Sequence, residues 1–118
     1  MKPFIPAILW AVIIFFVSSI PDLSTPSLGF KITDKMAHFG EFFFLGLFVT
    51  HAFSRRNLSP GKVFWISACV SGLYGVMDEF HQLFVPGRQA DGFDMLADVL
   101  GAVSASGIYV LKLRKRIS

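Results

Sequence analysis

Four apolar stretches separated by short polar breaks decide what this chain can fold into. They cover about residues 4–20, 36–53, 60–85 and 93–113. A bilayer core is crossed by about 20 mostly apolar residues in a helix, with a range of roughly 17–25. In lipid the backbone must satisfy its own hydrogen bonds, which a helix does within one segment. Composition points the same way. Charged residues make up 16% of the 118, mean hydropathy is +0.60, and there are 14 Phe. Soluble domains carry about 25% charge, and a small one leaves much of its surface in water. Too few polar residues are present to cover such a surface. The expected fold is all-α, a single membrane domain over residues 1–118 built as a four-helix transmembrane bundle.

The breaks have local causes. The first stretch stops at Pro21, which cannot continue a helix. Lys2 and the small Ser18-Ser19 pair give it the look of a signal peptide, but the bulky Ile20-Pro21 exit argues against cleavage, so it reads as a membrane helix. The second stops before Ser54-Arg55-Arg56-Asn57. The third opens with Ser59 as N-cap and Pro60 at the first helical position, and ends at Pro86-Gly87. A lone cysteine, Cys69, excludes an internal disulfide and CxxC chemistry; inside an apolar run it reads as a small core residue. Trp10 and Trp65 read as lipid-facing.

Charge sets the orientation. Lys2, Arg55, Arg56, Lys62, Lys112, Arg114, Lys115 and Arg116 fall on one side of a four-span chain; the other side holds Lys31, Lys35 and Arg88. Basic residues collect on the cytoplasmic side, which places both the N and C termini there. The basic pI of 9.3 therefore reflects topology, and no solvated domain exists to present it to nucleic acid. All eight acids (Asp22, Asp34, Glu41, Asp78, Glu79, Asp91, Asp94 and Asp98) lie in the outer loops or the outer halves of the helices.

Ionisable residues within a span are costly, and they face a bundle interior or a wet cavity, where they mark functional sites. Asp34, His38 and Glu41 share one stripe of the second stretch. Ser71, Gly75, Asp78 and Gln82 share a stripe of the third, flanked by Glu79 and His81. Asp94, Asp98, Gly101 and Ala105 line the fourth. Small residues let membrane helices approach closely. The third and fourth stretches are thus expected to meet along Ser71/Gly75 and Gly101/Ala105, bringing Asp78 towards Asp98 in an outward-facing pocket, while the inner halves stay apolar. Plainer roles compete. Asp34 and Asp91 suit helix caps, Arg88 suits a helix C-terminus or lipid phosphate, and His51 suits the interface. For the acids and histidines within the spans, the plain alternative is an interhelical hydrogen-bond network. No phosphate-binding loop, dinucleotide, metalloprotease, EF-hand or nucleophile-elbow motif is present.

Three segments carry a recognisable pattern. Asp34-Lys35-Met36-Ala37-His38-Phe39-Gly40-Glu41-Phe42-Phe43-Phe44-Leu45-Gly46 resembles the D-K-x-x-H-F-x-x-[FY]-x-x-L-G signature of VanZ-like membrane proteins. The segment Tyr74 to Arg88, with Asp78-Glu79, Gln82, Pro86 and Arg88, is similar to that family's DE-x-x-Q-x-[FY]-x-P-x-R element. Asp94 to Gly101 is similar to its D-x-x-x-[ND]-x-x-G helix, with Asp98 where Asn is common. The family is named for an accessory protein of low-level teicoplanin resistance. The resemblance therefore implies a bacterial cytoplasmic membrane protein of the cell envelope, with a role of the antibiotic-resistance kind.

Three functions suit these residues. In the first, an enzyme acts on a lipid-linked phosphate or glycan. Asp78, Glu79 and Asp98 hold a divalent cation such as Mg²⁺. His38 or His81 moves protons, and Arg88 with Lys35 clamps phosphate. Glu41 joins the catalytic set, while Asp34, Gln82 and Asp94 join the substrate contacts. In the second, the same extracytoplasmic pocket binds a lipid headgroup, a lipid-linked cell-wall precursor, a glycopeptide or a partner without turnover. The third, a proton-coupled transporter, ranks last because no polar route crosses the inner halves. Enzyme and binding protein both stay open on sequence.

Overall fold

In the computed structural model, residues 2–19, 32–85 and 92–117 are described, with the side chains of 32–34, 116 and 117 left aside. A 3-10 turn, Lys2–Phe4, leads into α1, Ile5–Ser18. Three longer helices follow: α2, Ile32–Ser54; α3, Pro60–Gln82; and α4, Gly92–Ile117. No strand occurs among the described residues. The helices fall on the four apolar stretches of the sequence.

Two of them, α2 over Lys35–Ser54 and α4 over Gly92–Lys115, are long and apolar enough to cross a membrane. At about 1.5 Å per residue, the 23 residues of α2 rise about 35 Å, against a hydrocarbon core of about 30 Å. Protein buries only a minority of either segment. Leu9, Phe16, Trp65, Leu73, Phe80 and Leu111 all point outward. A soluble protein rarely exposes apolar surface so continuously.

Helix ends follow their sequence signals. The Ser59 hydroxyl accepts the Lys62 N–H at 3.4 Å, with Pro60 behind it, as its cap role requires. Asp34 is not the cap of α2, because the helix already begins at Ile32 and Asp34 falls in its first turn. Asp94 lies in the first turn of α4. The cap expected at Asp91 falls outside the described residues.

The helices run alternately up and down. Phe4 meets Phe53 edge-on at 5.1 Å, while Trp10 Nε1 donates to the Glu41 carbonyl at 2.8 Å, so α1 is antiparallel to α2. Tyr74 OH ties α3 to α1 by donating to the Ala11 carbonyl at 2.6 Å. Helices α2 and α4 run parallel and touch most intimately. A Cβ on Gly46 would lie 2.8 Å from the Ala102 carbonyl oxygen, and one on Gly101 would press on the Phe39 carbonyl. This corrects the expected pairing. Gly101 and Ala105 pack on α2 rather than α3, because the glycine surface of α4 faces the α2 backbone.

Two further expectations change. Trp10 is only partly outward: half-buried, its ring packs against Phe44 and Phe48 as its N–H reaches Glu41. Cys69 is exposed on the outer face of α3 instead of lying in the core. Trp65 does point outward, 67% exposed.

Candidate functional site

The up-and-down order brings the C-terminal ends of α1 and α3 to the same end of the bundle as the N-terminal ends of α2 and α4. Arg55, Arg56, Lys62, Lys112, Arg114 and Lys115 belong to the opposite helix ends. The polar turns of all four helices therefore converge away from the basic end.

At the centre, α2 presents Lys35 and His38, three residues apart and so on one face. Helix α4 answers with Asp94 and Asp98, four residues apart. His38 Nδ1 lies 2.9 Å from Asp98 Oδ1, and His38 Nε2 lies 3.6 Å from Asp94 Oδ2. Lys35 Nζ reaches Asp94 Oδ1 at 2.7 Å. One imidazole thus has a carboxylate at hydrogen-bonding distance from Nδ1 and a second carboxylate nearby at Nε2, and that second carboxylate is paired with an ammonium. Phe42 closes the floor, fully buried.

From α3, Gly75 makes the approach possible. A Cβ there would meet the Asp98 Cβ at 2.8 Å and the Phe42 ring at 3.4 Å. Successive helical residues point about 100° apart, so Asp78 and Glu79 serve different neighbours. Glu79 faces the α2–α4 pair: one ligand atom each from His38, Glu79 and Asp98 lies within 4.8 Å of the others. Asp78 turns to α1, where the Ser18 hydroxyl donates to Oδ1, and Gln82 Nε2 donates to Oδ2 at 3.4 Å. His81 Nε2 lies 2.8 Å from the Ser19 hydroxyl, and its ring stacks on Phe15 with centroids 4.5 Å apart.

Of the residues singled out from sequence, Lys35, His38, Glu79, Asp94 and Asp98 therefore form one buried knot. Asp78, Gln82 and His81 form an adjoining layer against α1. The three residues whose ligand atoms converge are His38, Glu79 and Asp98, with His38 standing where the sequence suggested Asp78. Glu41 is half-buried on α2. Arg88 and the Asp34 side chain lie outside what is described.

Sequence reasoning missed Ser18 and Ser19 as site residues. Their signal is present in the sequence, two hydroxyls closing an otherwise apolar stretch that reads as a membrane helix. It also took the inner halves as apolar. Thr50 and Ser106 are fully buried there and share a hydrogen bond at 2.9 Å, and His51 Nδ1 meets Tyr109 OH at 2.7 Å nearer the basic end. Thr50 and Ser71 also donate back to the carbonyls of Gly46 and Ser67, each at 2.5 Å, a local bond that hides a hydroxyl within a helix.

Sequence comparison matches residues 4–113 to the VanZ/LLP1 family. An uncharacterized protein of Schizosaccharomyces pombe is 33% identical over 93 residues, which cover 78% of this chain and 56% of that protein. The chain thus spans about half the length of the curated relative it matches. No solved structure matches it.

Proposed function

The chain belongs to the VanZ/LLP1 family of membrane proteins, and from that premise we propose that its polar knot receives the headgroup of an envelope lipid and moves a proton on it. The observation that carries this reading is the His38–Asp98 pair, 2.9 Å apart and buried between α2 and α4. A carboxylate that orients an imidazole is the usual means of holding a general acid–base in one tautomer. Lys35, anchored by Asp94 at 2.7 Å, is the cation next to it; it contacts the phosphate.

A lipid is favoured over a soluble ligand by what lies beneath the knot. An apolar crevice of about 210 Å³ runs between α1, α2 and α3 from the level of Tyr74 to Phe4 and Phe53. Tyr74 is one helical turn from Asp78. An acyl or prenyl chain in that crevice leaves its headgroup at the acidic end. The relative in a fission yeast supports a phosphate or phospho-sugar headgroup common to both kinds of cell over one peculiar to the bacterial wall. The glycopeptide-resistance role then becomes one consequence of altered envelope lipid. The basic helix ends support cytoplasmic termini and a knot that faces the other side of the membrane.

The test uses purified protein in nanodiscs with polyprenyl and diacylglycerol phosphates. Phosphorus NMR follows conversion, and native mass spectrometry follows retention. Wild type retains and converts a phosphate lipid; His38→Gln and Asp98→Asn retain it without conversion. A wild type that neither retains nor converts any phosphate lipid refutes the reading. Retention without conversion by wild type, lost in Lys35→Met, establishes the non-catalytic binding protein instead. That alternative has its own support in how completely His38 is enclosed by protein carboxylates.

A further inference from the structure

We propose that His38 of α2, Glu79 of α3 and Asp98 of α4 form a binding site for a transition-metal dication of the zinc class. The three side chains come from three different helices, yet a ligand atom of each lies within 4.8 Å of the other two. Donors about 2.0–2.2 Å from a tetrahedral zinc ion lie about 3.3–3.6 Å from one another. Side-chain rotations that draw the donors together by at most about 1.5 Å, shared between the partners, close the trio on an ion.

Burial argues for a cation. His38 is 5% exposed, Glu79 3% and Asp98 0%. Asp98 Oδ2 has no hydrogen-bond partner among the described residues, although a buried carboxylate oxygen needs one. Asp94 and Lys35 balance each other at 2.7 Å. The Asp98 carboxylate, fully buried, turns this Oδ2 into the space it shares with His38 and Glu79, where a bound cation would satisfy it.

The surroundings also suit a metal. A ligating histidine commonly has its second ring nitrogen oriented by a carboxylate, which is itself held in place. Here Asp98 lies at Nδ1, Asp94 lies 3.6 Å from Nε2, and Lys35 fixes Asp94. The donor set decides the class of ion. Mg²⁺ and Ca²⁺ take oxygen donors, and Mg²⁺ keeps several waters. An imidazole beside two carboxylates suits zinc and its first-row neighbours. Three protein ligands leave a fourth position open, the arrangement of catalytic rather than structural zinc. This site goes beyond the headgroup reading, makes His38 a ligand where that reading makes it a proton carrier, and stands on geometry that does not require it.

The experiment measures metal alone, with no phosphate lipid added, so that its failure is separate from failure of the headgroup reading. Detergent-purified protein, stripped with chelator, is titrated with Zn²⁺, Co²⁺, Mn²⁺, Mg²⁺ and Ca²⁺. Thermal unfolding, elemental stoichiometry and the Co²⁺ visible spectrum are recorded. Expected are one Zn²⁺ or Co²⁺ per chain, a raised Tm, and pulsed-EPR nitrogen modulation from an imidazole on bound Mn²⁺. His38→Gln and Asp98→Asn abolish stoichiometric binding, Asp94→Asn weakens it about 10–100-fold, and Asp78→Asn retains it. Absence of stoichiometric Zn²⁺ or Co²⁺ in wild type overturns the proposal. So does a Mg²⁺ or Ca²⁺ response as large as that of Zn²⁺ with no imidazole signal. Both readings use folded wild type, so a variant that fails to fold does not shield the site from refutation.

Discussion

Replacing Gly101 by Ala tests whether close contact between α2 and α4 assembles the knot. At Gly46, in the same interface, an added Cβ would stand 2.8 Å from the Ala102 carbonyl oxygen and 3.0 Å from the Ala102 Cα. Ordinary contact begins near ~3.4 Å, so the helices must part by about 0.6 Å. The approach at Gly101 is tighter still and is made by the Phe39 backbone, with the Phe43 nitrogen at 3.1 Å, so no side chain can swing aside. Gly101 is three residues beyond Asp98. Added to the 2.9 Å between His38 and Asp98, a parting of even 0.6 Å gives about 3.5 Å, outside hydrogen-bonding range. Overpacking costs about 1–3 kcal/mol, and a lost hydrogen bond to a charged group costs about 1.5–3 kcal/mol. Less the gain of up to about 1 kcal/mol in helix propensity that alanine also brings here, Gly101→Ala should cost at least about 1.5 kcal/mol, roughly a 10-fold fall in the folded-to-unfolded ratio. The assay is reversible unfolding by SDS in mixed micelles, followed by tryptophan fluorescence. Gly40→Ala in α2 is the control: nothing lies within 4 Å of its Cβ position, and alanine gains up to about 1 kcal/mol in helix propensity. The two substitutions should shift the midpoint in opposite directions. If Gly101→Ala unfolds at the same SDS fraction as Gly40→Ala, the close-contact argument is wrong.

Other consequences can be measured with the same preparation. Lys35→Met strands Asp94 in a buried site and should destabilise by about 3–5 kcal/mol; adding Asp94→Asn should recover most of that loss, and additive effects would deny the pairing. Tyr74→Phe and Trp10→Phe each remove one tether of α1 and should cost about 1 kcal/mol, with hydrogen exchange quickening in α1 before α3. Unchanged exchange in α1 would show that these bonds do not hold it. In a Cys69→Ser background, a cysteine at Asn57 should react with an impermeant maleimide only when the cytoplasmic face is open, and labelling from outside whole cells would invert the proposed topology.

Much of this architecture is written in one dimension. Lipid asks only that a helix be long and apolar, so the stretches over 36–53 and 93–113 announce α2 and α4 without knowledge of any neighbour. Ser59-Pro60 announces the start of α3 in the same way, because a cap is satisfied within one turn. Spacing also placed His38 among the chemically active residues and Asp98 on the stripe of α4 with Asp94, since stripes follow from 3.6 residues per turn.

Partnership is another matter. Whether Gly101 meets α2 or α3 depends on how α4 is rotated, and packing against Phe39 and Phe43 sets that rotation. The same rotation sends Asp98 to His38 and lets Asp78 turn to Ser18, so the carboxylate pair expected at the centre became a histidine-bearing trio. Trp10 turns part of its ring to α2 and Cys69 turns outward for a related reason. An apolar residue suits lipid and protein interior about equally, so hydropathy cannot tell the two faces of a membrane helix apart. The sequence by itself determined the helices, their charged ends and the inventory of reactive groups, because those depend on local propensity and on transfer into lipid. Tertiary structure alone decided which groups touch, because that follows from the close backbone approaches at Gly46, Gly75 and Gly101, whose geometry is a property of helix pairs.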